Sequence, residues 1–289
     1  MLNLEKTANS CIPVFFNEND FNKFILPHLW EGSRGPRPKL SAYRVFHYIL
    51  YVLYTGIQWK MLPVEKCENG QPEIHYTKVW YKFKQWSDHG SVASIFQASV
   101  AALKEKGALD LSILHGDGTN VVTKLGSDLR GYSGHKHHKG NKIVTIQDNA
   151  GNVLAPMTIA TVNQSDMILL PNALKDLKAI CTRSKIVLPK NTLLNLDAGF
   201  DSRKNRKLVW NAGLKPNIKE NVRNRKNAKR GRKRFFDTES YSLRFKCERT
   251  FAWQDKFRRV ITQFDYKRGL AMAFHLIAFA LINFRNLHT

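Results

Sequence analysis

Apolar residues recur along the chain with two different periods, and the change of period divides it. From about Asn17 to Gly90 the spacing is helical: Phe21, Ile25 and Leu29 make one stripe behind a cap at Asn19 or Asp20, and the breaker GSRGPRP at 32–38 ends it. Ser41 then caps a helix whose Ala42, Val45, Phe46, Ile49, Leu50 and Leu53 share a face, with Gly56 placed to stop it. After a loop holding Pro63, Gly70 and Pro72, the run HYTKVWYKFKQWSDHG predicts a helix capped by Thr77. Its Val79, Phe83 and Trp86 form an apolar side, and Lys78, Lys82 and Gln85 a basic, amide-bearing one. That division suits a DNA-recognition helix and equally a plain surface helix of a basic protein.

From about Leu109 the runs become short and β-rich: Leu111–Leu114, Ile143–Ile146, Val153–Ile159 and Leu193–Leu196. Asp148-Asn149-Ala150-Gly151 reads as the turn of a hairpin between the second and third. Met167–Leu177 reads as a helix, Lys185–Lys190 as a loop or short strand, and Tyr241–Phe264 as one long helix. The order is mixed α/β. The last apolar stretch, Gly269–Phe284, contains His275 and Asn283 and is shorter than the roughly 20 residues that cross a bilayer. It is expected to pack on the sheet or on the N-terminal helices, or to form a dimer contact. Residues 1–105 are thus expected to form a small all-helical domain and 106–289 the α/β domain, including the C-terminal helix.

Charge narrows the function. The 289 residues carry 46 Lys and Arg against 23 Asp and Glu, a formal net charge of +23, which points to a polyanionic partner. Hydrophobic residues at 43% are too many for a disordered basic tail. Arg203–Arg234 holds fourteen Lys and Arg against Glu220 alone, so this segment repels itself unless it meets a polyanion. Arg223, Arg225, Arg230, Arg232 and Lys233 within it are candidate DNA contacts. The four cysteines, Cys11, Cys67, Cys181 and Cys247, form no CxxC pair, which disfavours a zinc site or a disulfide framework. The N-terminus has Glu5 where a basic n-region would stand and no continuous apolar core, so it does not read as a signal peptide, and a cytoplasmic protein is expected.

In a chain short of acids, carboxylates after apolar runs need a reason. Asp117 follows Leu111–Leu114 and Asp197 follows Leu193–Leu196, with Gly116, Gly118 and Gly199 beside them. Glu248 lies among aromatic and arginine residues in YSLRFKCERTFAWQDKFRR. Three carboxylates brought together could hold two Mg²⁺ ions for in-line displacement at phosphorus. Individually, each has an ordinary explanation as a turn residue or an ion-pair partner.

Taken in order, HGDGTNV, LNLDAGFDS and YSLRFKCERTFAW resemble the Asp-Asp-Glu motifs of insertion-sequence DDE transposases, in family five of the superfamily that also contains family four. RPKLSAYRVFHYILYVLYTGIQWKMLP resembles the N-terminal helical domain of that family, and GHKHHKGNKIVTIQDNAGNVLAP its hairpin after the first Asp. The resemblance runs from about Asn17 to the C-terminus. It implies a ribonuclease H-like mixed sheet flanked by helices and preceded by a small all-helical DNA-binding domain. The implied catalytic, metal-binding residues are Asp117, Asp197 and Glu248. Tyr241 and Arg244 match the signature around the third acid and would grip phosphates. Where that signature expects Lys, seven positions after the Glu, this chain has Asp255, followed by Lys256. One step around a helix turns a side chain by about 100°. The implied activity is hydrolysis at the element's ends, then attack of the freed 3′-hydroxyl on target DNA, with Mg²⁺ or Mn²⁺, two ions per site, as cofactor. The implied partner is double-stranded DNA, bound by a homo-oligomer, with no membrane involved. A transposase-derived DNA-binding protein without catalysis, a ribonuclease H-like nuclease and a basic RNA-binding protein are the competing readings.

Three features have ordinary explanations. The run His135, Lys136, His137, His138, Lys139 reads as a polar loop near DNA rather than a metal site. Asp201 reads as the cap of a helix beginning at Ser202, and Asp166 likewise as a helix cap.

Overall fold

A computed structural model describes residues 16–33, 38–124, 128, 131–134, 136–221 and 234–287. In chain order its elements are α1 (Glu18–Phe24), α2 (Ala42–Thr55), α3 (Tyr76–Asp88), α4 (Ser91–Glu105), β1 (Ile113–Thr123), β2 (Gly131–Ser133), β3 (His138–Asp148), β4 (Val153–Thr161), α5 (Asp166–Arg183), β5 (Leu193–Leu196), α6 (Arg203–Asn211), β6 (Lys215–Ile218), α7 (Thr238–Ser242), α8 (Phe245–Gln254), α9 (Arg258–Ile261) and α10 (Arg268–Arg285). They group into two compact units. The first comprises 1–99, 124–128 and 253–289, the second 100–123 and 129–252. The C-terminal helix therefore belongs with the N-terminal helices, whereas the sequence reading joined it to the second domain.

In the first unit, Ser41 caps α2 by accepting from the Arg44 amide at 3.3 Å, and Gly56 ends it at φ 69°, a left-handed conformation open to glycine. A Cβ at Gly56 would also come within 3.1 Å of the Arg258 Cβ. The expected face of α2 is buried except for half-exposed Ala42, and His47, Tyr48 and Val52 are buried as well. Val79, Phe83 and Trp86 of α3 are buried as the pattern requires. Phe83 stacks 4.4 Å from Phe274 of α10, and Trp59 lies 5.9 and 6.1 Å from the two rings. α10 is long and apolar enough to span a membrane by length and composition, yet 72% of it is buried in protein. The caps of α1 and α3 differ from expectation: Asn17 caps α1, and the His75 side chain accepts from the Thr77 amide to cap α3.

In the second unit the strands run in the order β2-β3-β1-β5-β6, with β4 also on β3. β1, β3 and β4 form an antiparallel meander, and β1, β5 and β6 are parallel. Three antiparallel strands continued by parallel ones, with helices between, is the ribonuclease H-like mixed sheet. Asp148 builds the β3–β4 turn, accepting from the amides of Ala150 at 3.0 Å and Asn152 at 2.8 Å. Gly140 on β3 lies so close to β1 that a Cβ there would meet the Val121 carbonyl oxygen at 2.1 Å.

Three local expectations are corrected. Tyr241–Phe264 is not one helix but α7, α8 and α9 in succession. Ser202, accepting from the Asn205 amide at 3.0 Å, caps α6, while Asp201 is buried and paired with Arg206 and Arg234, both at 3.0 Å. Ser165, not Asp166, caps α5.

Candidate active site

β1 and β5 are neighbouring parallel strands registered His115 to Asn195. Two residues beyond that pair come Asp117, within β1, and Asp197, just after β5 ends at Leu196. Asp117 Oδ1 accepts from the Gly118 amide at 2.9 Å, and Asp197 Oδ1 from the Gly199 amide at 2.8 Å, which caps the single turn Ala198–Phe200. The Asp117 carboxyl is raised above its ordinary pKa. Burial is the main cause, the charges of Asp197 and Asp166 add to it, and Arg244 with the Gly118 amide opposes it.

Asp166, the first residue of α5, stands beside this pair. A Cβ at Gly118 would lie 3.1 Å from Asp166 Oδ1; one at Gly199 would lie 3.0 Å from both Asp166 Oδ2 and Asp197 Oδ1. Those last two oxygens are thus at most about 6 Å apart, and the glycines are the gaps that let the carboxylates approach. Lys142 Nζ, 2.9 Å from Asp166 Oδ1, forms an ion pair without completing a hydrogen bond.

Arg244 NH2 lies 3.1 Å from Asp117 Oδ1, and its NH1 donates to the Tyr241 hydroxyl at 3.1 Å. Burial disfavours the charge on Arg244, but Asp117 and Tyr241 outweigh it and raise its pKa. Glu248 is exposed in the first turn of α8. Its neighbour Cys247 is fully buried, with its thiol pushed up by burial first and then by the charges of Asp117 and Glu248. Among the described residues, no three His, Cys, Asp or Glu side chains are grouped as ligands of one ion. The charges of Asp166 and Asp197 act on Asp117, while no hydrogen bond or ion pair joins Glu248 to these three among those residues. The donor set suits a hard divalent cation: oxygen ligands only, in a partly buried pocket where burial first, and then the like charges of Asp197 and Asp166, raise the Asp117 pKa despite Arg244.

Behind the carboxylates runs a buried polar ladder that sequence reasoning missed. His115, Asn195 and Asn217 sit side by side on β1, β5 and β6 and are fully buried. Asn195 Nδ2 lies 3.3 Å from His115 Nδ1 and donates to the Ser240 carbonyl at 2.6 Å. Asn217 Nδ2 donates to Asn195 Oδ1 at 2.7 Å and to the Asp237 carbonyl at 2.9 Å, and Asn217 Oδ1 accepts from the Asp237 amide at 2.9 Å. His115 Nε2 is 3.3 Å from Asn149 Oδ1, which also receives Lys246 Nζ at 2.8 Å. The helix carrying Tyr241 and the start of the one carrying Glu248 are thereby tied to the sheet. The available signal was an amide inside each of the short runs LLNL and KPNI, where a polar side chain must be buried with partners.

Of the remaining sequence candidates, Lys78, Lys82 and Lys256 belong to the first unit. Lys78 is exposed on α3, and Lys82 lies 5.9 and 5.8 Å over the rings of Trp30 and Trp86. Both border a shallow surface pocket with Thr77, Trp80, Tyr81 and Gln85. Lys256 follows the end of α8 in a turn, its Nζ 4.0 Å over the Trp253 ring, so its position is not set by helical rotation from Glu248. Arg223, Arg225, Arg230, Arg232, Lys233 and His135 lie outside the described residues.

Residues 108–283 match the family described as the transposase DDE domain, and residues 20–96 match a family described as a transposase of the IS4/5 type. No curated protein matches the chain. Among solved structures, the cryo-EM structure of the piggyBac transposase synaptic complex with hairpin DNA is similar at a TM-score of 0.47 and 10% identity, covering 96% of this chain and 74% of that one.

Proposed function

The chain belongs to the DDE-domain transposases of the IS4/5 type, and from that membership we propose that Asp117, Asp197 and Glu248 are its catalytic carboxylates. A DDE-domain transposase acts on DNA and depends on divalent metal. For this chain the finer reading is two Mg²⁺ or Mn²⁺ ions per site, a homo-oligomer on double-stranded DNA, a cytoplasmic location and no membrane partner. The observation that supports the two acids is that Asp117 lies on β1 and Asp197 just past the end of the neighbouring strand β5, with the Asp197 charge acting on Asp117. Glu248 joins them on the family motif, supported by the field that Asp117 and Glu248 share at Cys247.

Bound at these carboxylates, divalent metal supplies Lewis-acid stabilisation of the attacking and leaving oxygens. The chain's own residues hold the scissile phosphate: Arg244 offers a guanidinium fork beside Asp117, and Tyr241 fixes that fork from behind. In strand transfer, the freed 3′-hydroxyl would take the place of the attacking water and the target phosphate that of the first scissile phosphate, the new P–O bond forming as the target strand's own 3′-oxygen leaves. The exposed basic side of α3 with Lys78 and Lys82, within a DNA-binding domain of residues 1–105, would read the element's ends, and the 203–234 segment would follow the backbone.

The test is a nicking assay with Mg²⁺ or Mn²⁺ on labelled duplex carrying the ends of the flanking element. Wild type is expected to nick at the ends. Asp117→Asn, Asp197→Asn and Glu248→Gln should each lower nicking by about 100-fold or more, since a lost ligand forfeits several kcal/mol of charge stabilisation, while DNA binding persists. Binding without nicking in wild type would favour the inactive relative, and nicking without end preference the general nuclease.

A further inference from the structure

Beside the first carboxylate, β3 carries two polar side chains that the fold does not use. Thr145 and Gln147 lie two residues apart on that strand and are both fully buried. The antiparallel register sets Thr145 directly across from Asp117, and Gln147 directly across from His115. Opposed residues of such a pair point to one face with Cβ atoms about 4.5–5.5 Å apart, so a turn about χ1 brings the Thr145 hydroxyl to the Asp117 carboxyl. Neither side chain has a partner where it stands: the Thr145 hydroxyl and both ends of the Gln147 amide make no hydrogen bond. Their neighbours on the same face, His115, Asn195 and Asn217, all have theirs. A buried polar group without a partner lowers stability, and Val and Leu would fill these places in a strand at no such penalty.

We infer that Thr145 is a positioning residue for the metal-bound form: its hydroxyl donates to the Asp117 carboxylate and fixes the orientation in which that carboxylate holds a divalent cation, with Gln147 donating to the hydroxyl oxygen from behind. The inference deepens the transposase reading and rests on Asp117 being a metal ligand. Among the described residues, Asp117 Oδ1 has the Gly118 amide and Arg244 as partners, and Oδ2 makes no hydrogen bond or ion pair. A ligating carboxylate keeps its direction only when its other lone pairs are held, and such outer partners change metal affinity by about 10–100-fold. Arg244 cannot be the only such partner, since the scissile phosphate competes for its guanidinium. A hydroxyl holds the carboxylate without adding a charge that repels the cation. Gln147 sits about 6–7 Å further along the strand on the same face, a span its side chain covers. With the amide donating to Oγ1, the hydroxyl hydrogen is left to point at Asp117.

The experiment titrates Mn²⁺ alone into the full-length protein by calorimetry, without DNA, and follows the melting temperature with and without the ion. Thr145→Val should bind Mn²⁺ about tenfold more weakly than wild type. Its melting temperature without metal should equal or exceed that of wild type, because the variant sheds an unpaired hydroxyl and keeps the shape. Thr145→Ser, which retains the hydroxyl, should restore the affinity to within about twofold. Gln147→Leu should weaken binding about threefold and add nothing in the Thr145→Val background, since the two act in series. The Mn²⁺ concentration for half-maximal nicking should rise with the dissociation constant. Wild-type affinity in Thr145→Val, or a loss that Thr145→Ser does not repair, would overturn the inference. A lower metal-free melting temperature in Thr145→Val with unchanged Mn²⁺ binding would do the same, marking the hydroxyl as part of the fold alone. Should Thr145→Val fail to fold, Thr145→Ala against Thr145→Ser makes the same comparison of affinities. Asp117→Asn separates the two levels. If it abolishes Mn²⁺ binding while Thr145→Val leaves binding intact, the positioning role alone is wrong; if Asp117→Asn binds Mn²⁺ as wild type does, the assignment of the metal site falls as well.

Discussion

Burial and the neighbouring charges of Asp197 and Asp166 make an ionised Asp117 unfavourable in the folded protein, even with Arg244 beside it. Asp117→Asn keeps the shape and removes the charge, so without metal at pH 7 it is expected to melt at a higher temperature than wild type. Added Mg²⁺ or Mn²⁺ should raise the melting temperature of wild type by mass action and leave the variant nearly unmoved. Scanning fluorimetry with and without the cation checks both. His275 gives the opposite lesson in the first unit: full burial pulls its pKa down from 6.5 to about 3, and Gln254 Nε2 lies 2.7 Å from its Nδ1. The folded state keeps this imidazole neutral while the unfolded chain takes up a proton below pH 6.5, so stability falls as pH drops from 6.5 toward 3. Between pH 7 and 5 the group should remove about 2 kcal/mol, and His275→Gln should flatten the urea-midpoint profile by that amount. At this scale Asp117 and Asp197 were legible, because a carboxylate flanked by glycines after an apolar run is unusual in so basic a chain. Asp166 was not, since Asp at the start of a helix already has an ordinary explanation.

Elements with one strong period were readable, and those made by tertiary contact were not. β5 coincides with the apolar run that predicted it, and α2 starts and stops at its expected cap residues. β6 was hidden within a basic segment and contains Pro216, which is tolerated because β6 is the outermost strand of the order. Tyr241–Phe264 reads as a single helix because buried Cys247, Phe257 and Val260 keep the apolar signal running through the breaks. Residues at the breaks make tertiary contacts: Arg244, between α7 and α8, pairs with Asp117, and Gln254, at the end of α8, lies against His275. The polar ladder belongs to this scale. Replacing Asn217 with Leu would leave Asn195 Oδ1 and the Asp237 backbone groups without partners, at about 1–3 kcal/mol each in a buried setting. The expected outcome is a lower urea midpoint together with slower nicking, because the segment carrying Tyr241 and Arg244 loses its tether. Asn195→Leu should act on the same network, so the two losses should not add.

For the molecule as a whole, charge is the dominant fact. A net charge of +23 with fourteen Lys and Arg in 203–234 makes DNA binding a counterion-release process. Affinity for an element end should fall by about three orders of magnitude between 50 and 200 mM salt if six or more phosphates are contacted. Arg225→Ala combined with Arg230→Ala should flatten that slope without changing the nicked position. Architecture was legible as a fold class but not as a partition. Composition suggested that the chain divides once, near residue 105, whereas Phe274 stacking on Phe83 and Asn283 Nδ2 donating to Ser99 Oγ at 3.0 Å carry the C-terminal helix into the first unit. That arrangement bears on synthesis. On the ribosome, the opening helices emerge well before the stretch that completes their core, so they must wait, partly unburied, until residues 268–285 are translated. A message cut short by a premature stop or a frameshift would then yield no stable N-terminal fragment able to compete for the element's ends. Pulse-labelled nascent chains released before residue 268 should be digested by protease over residues 16–99, where the finished protein resists.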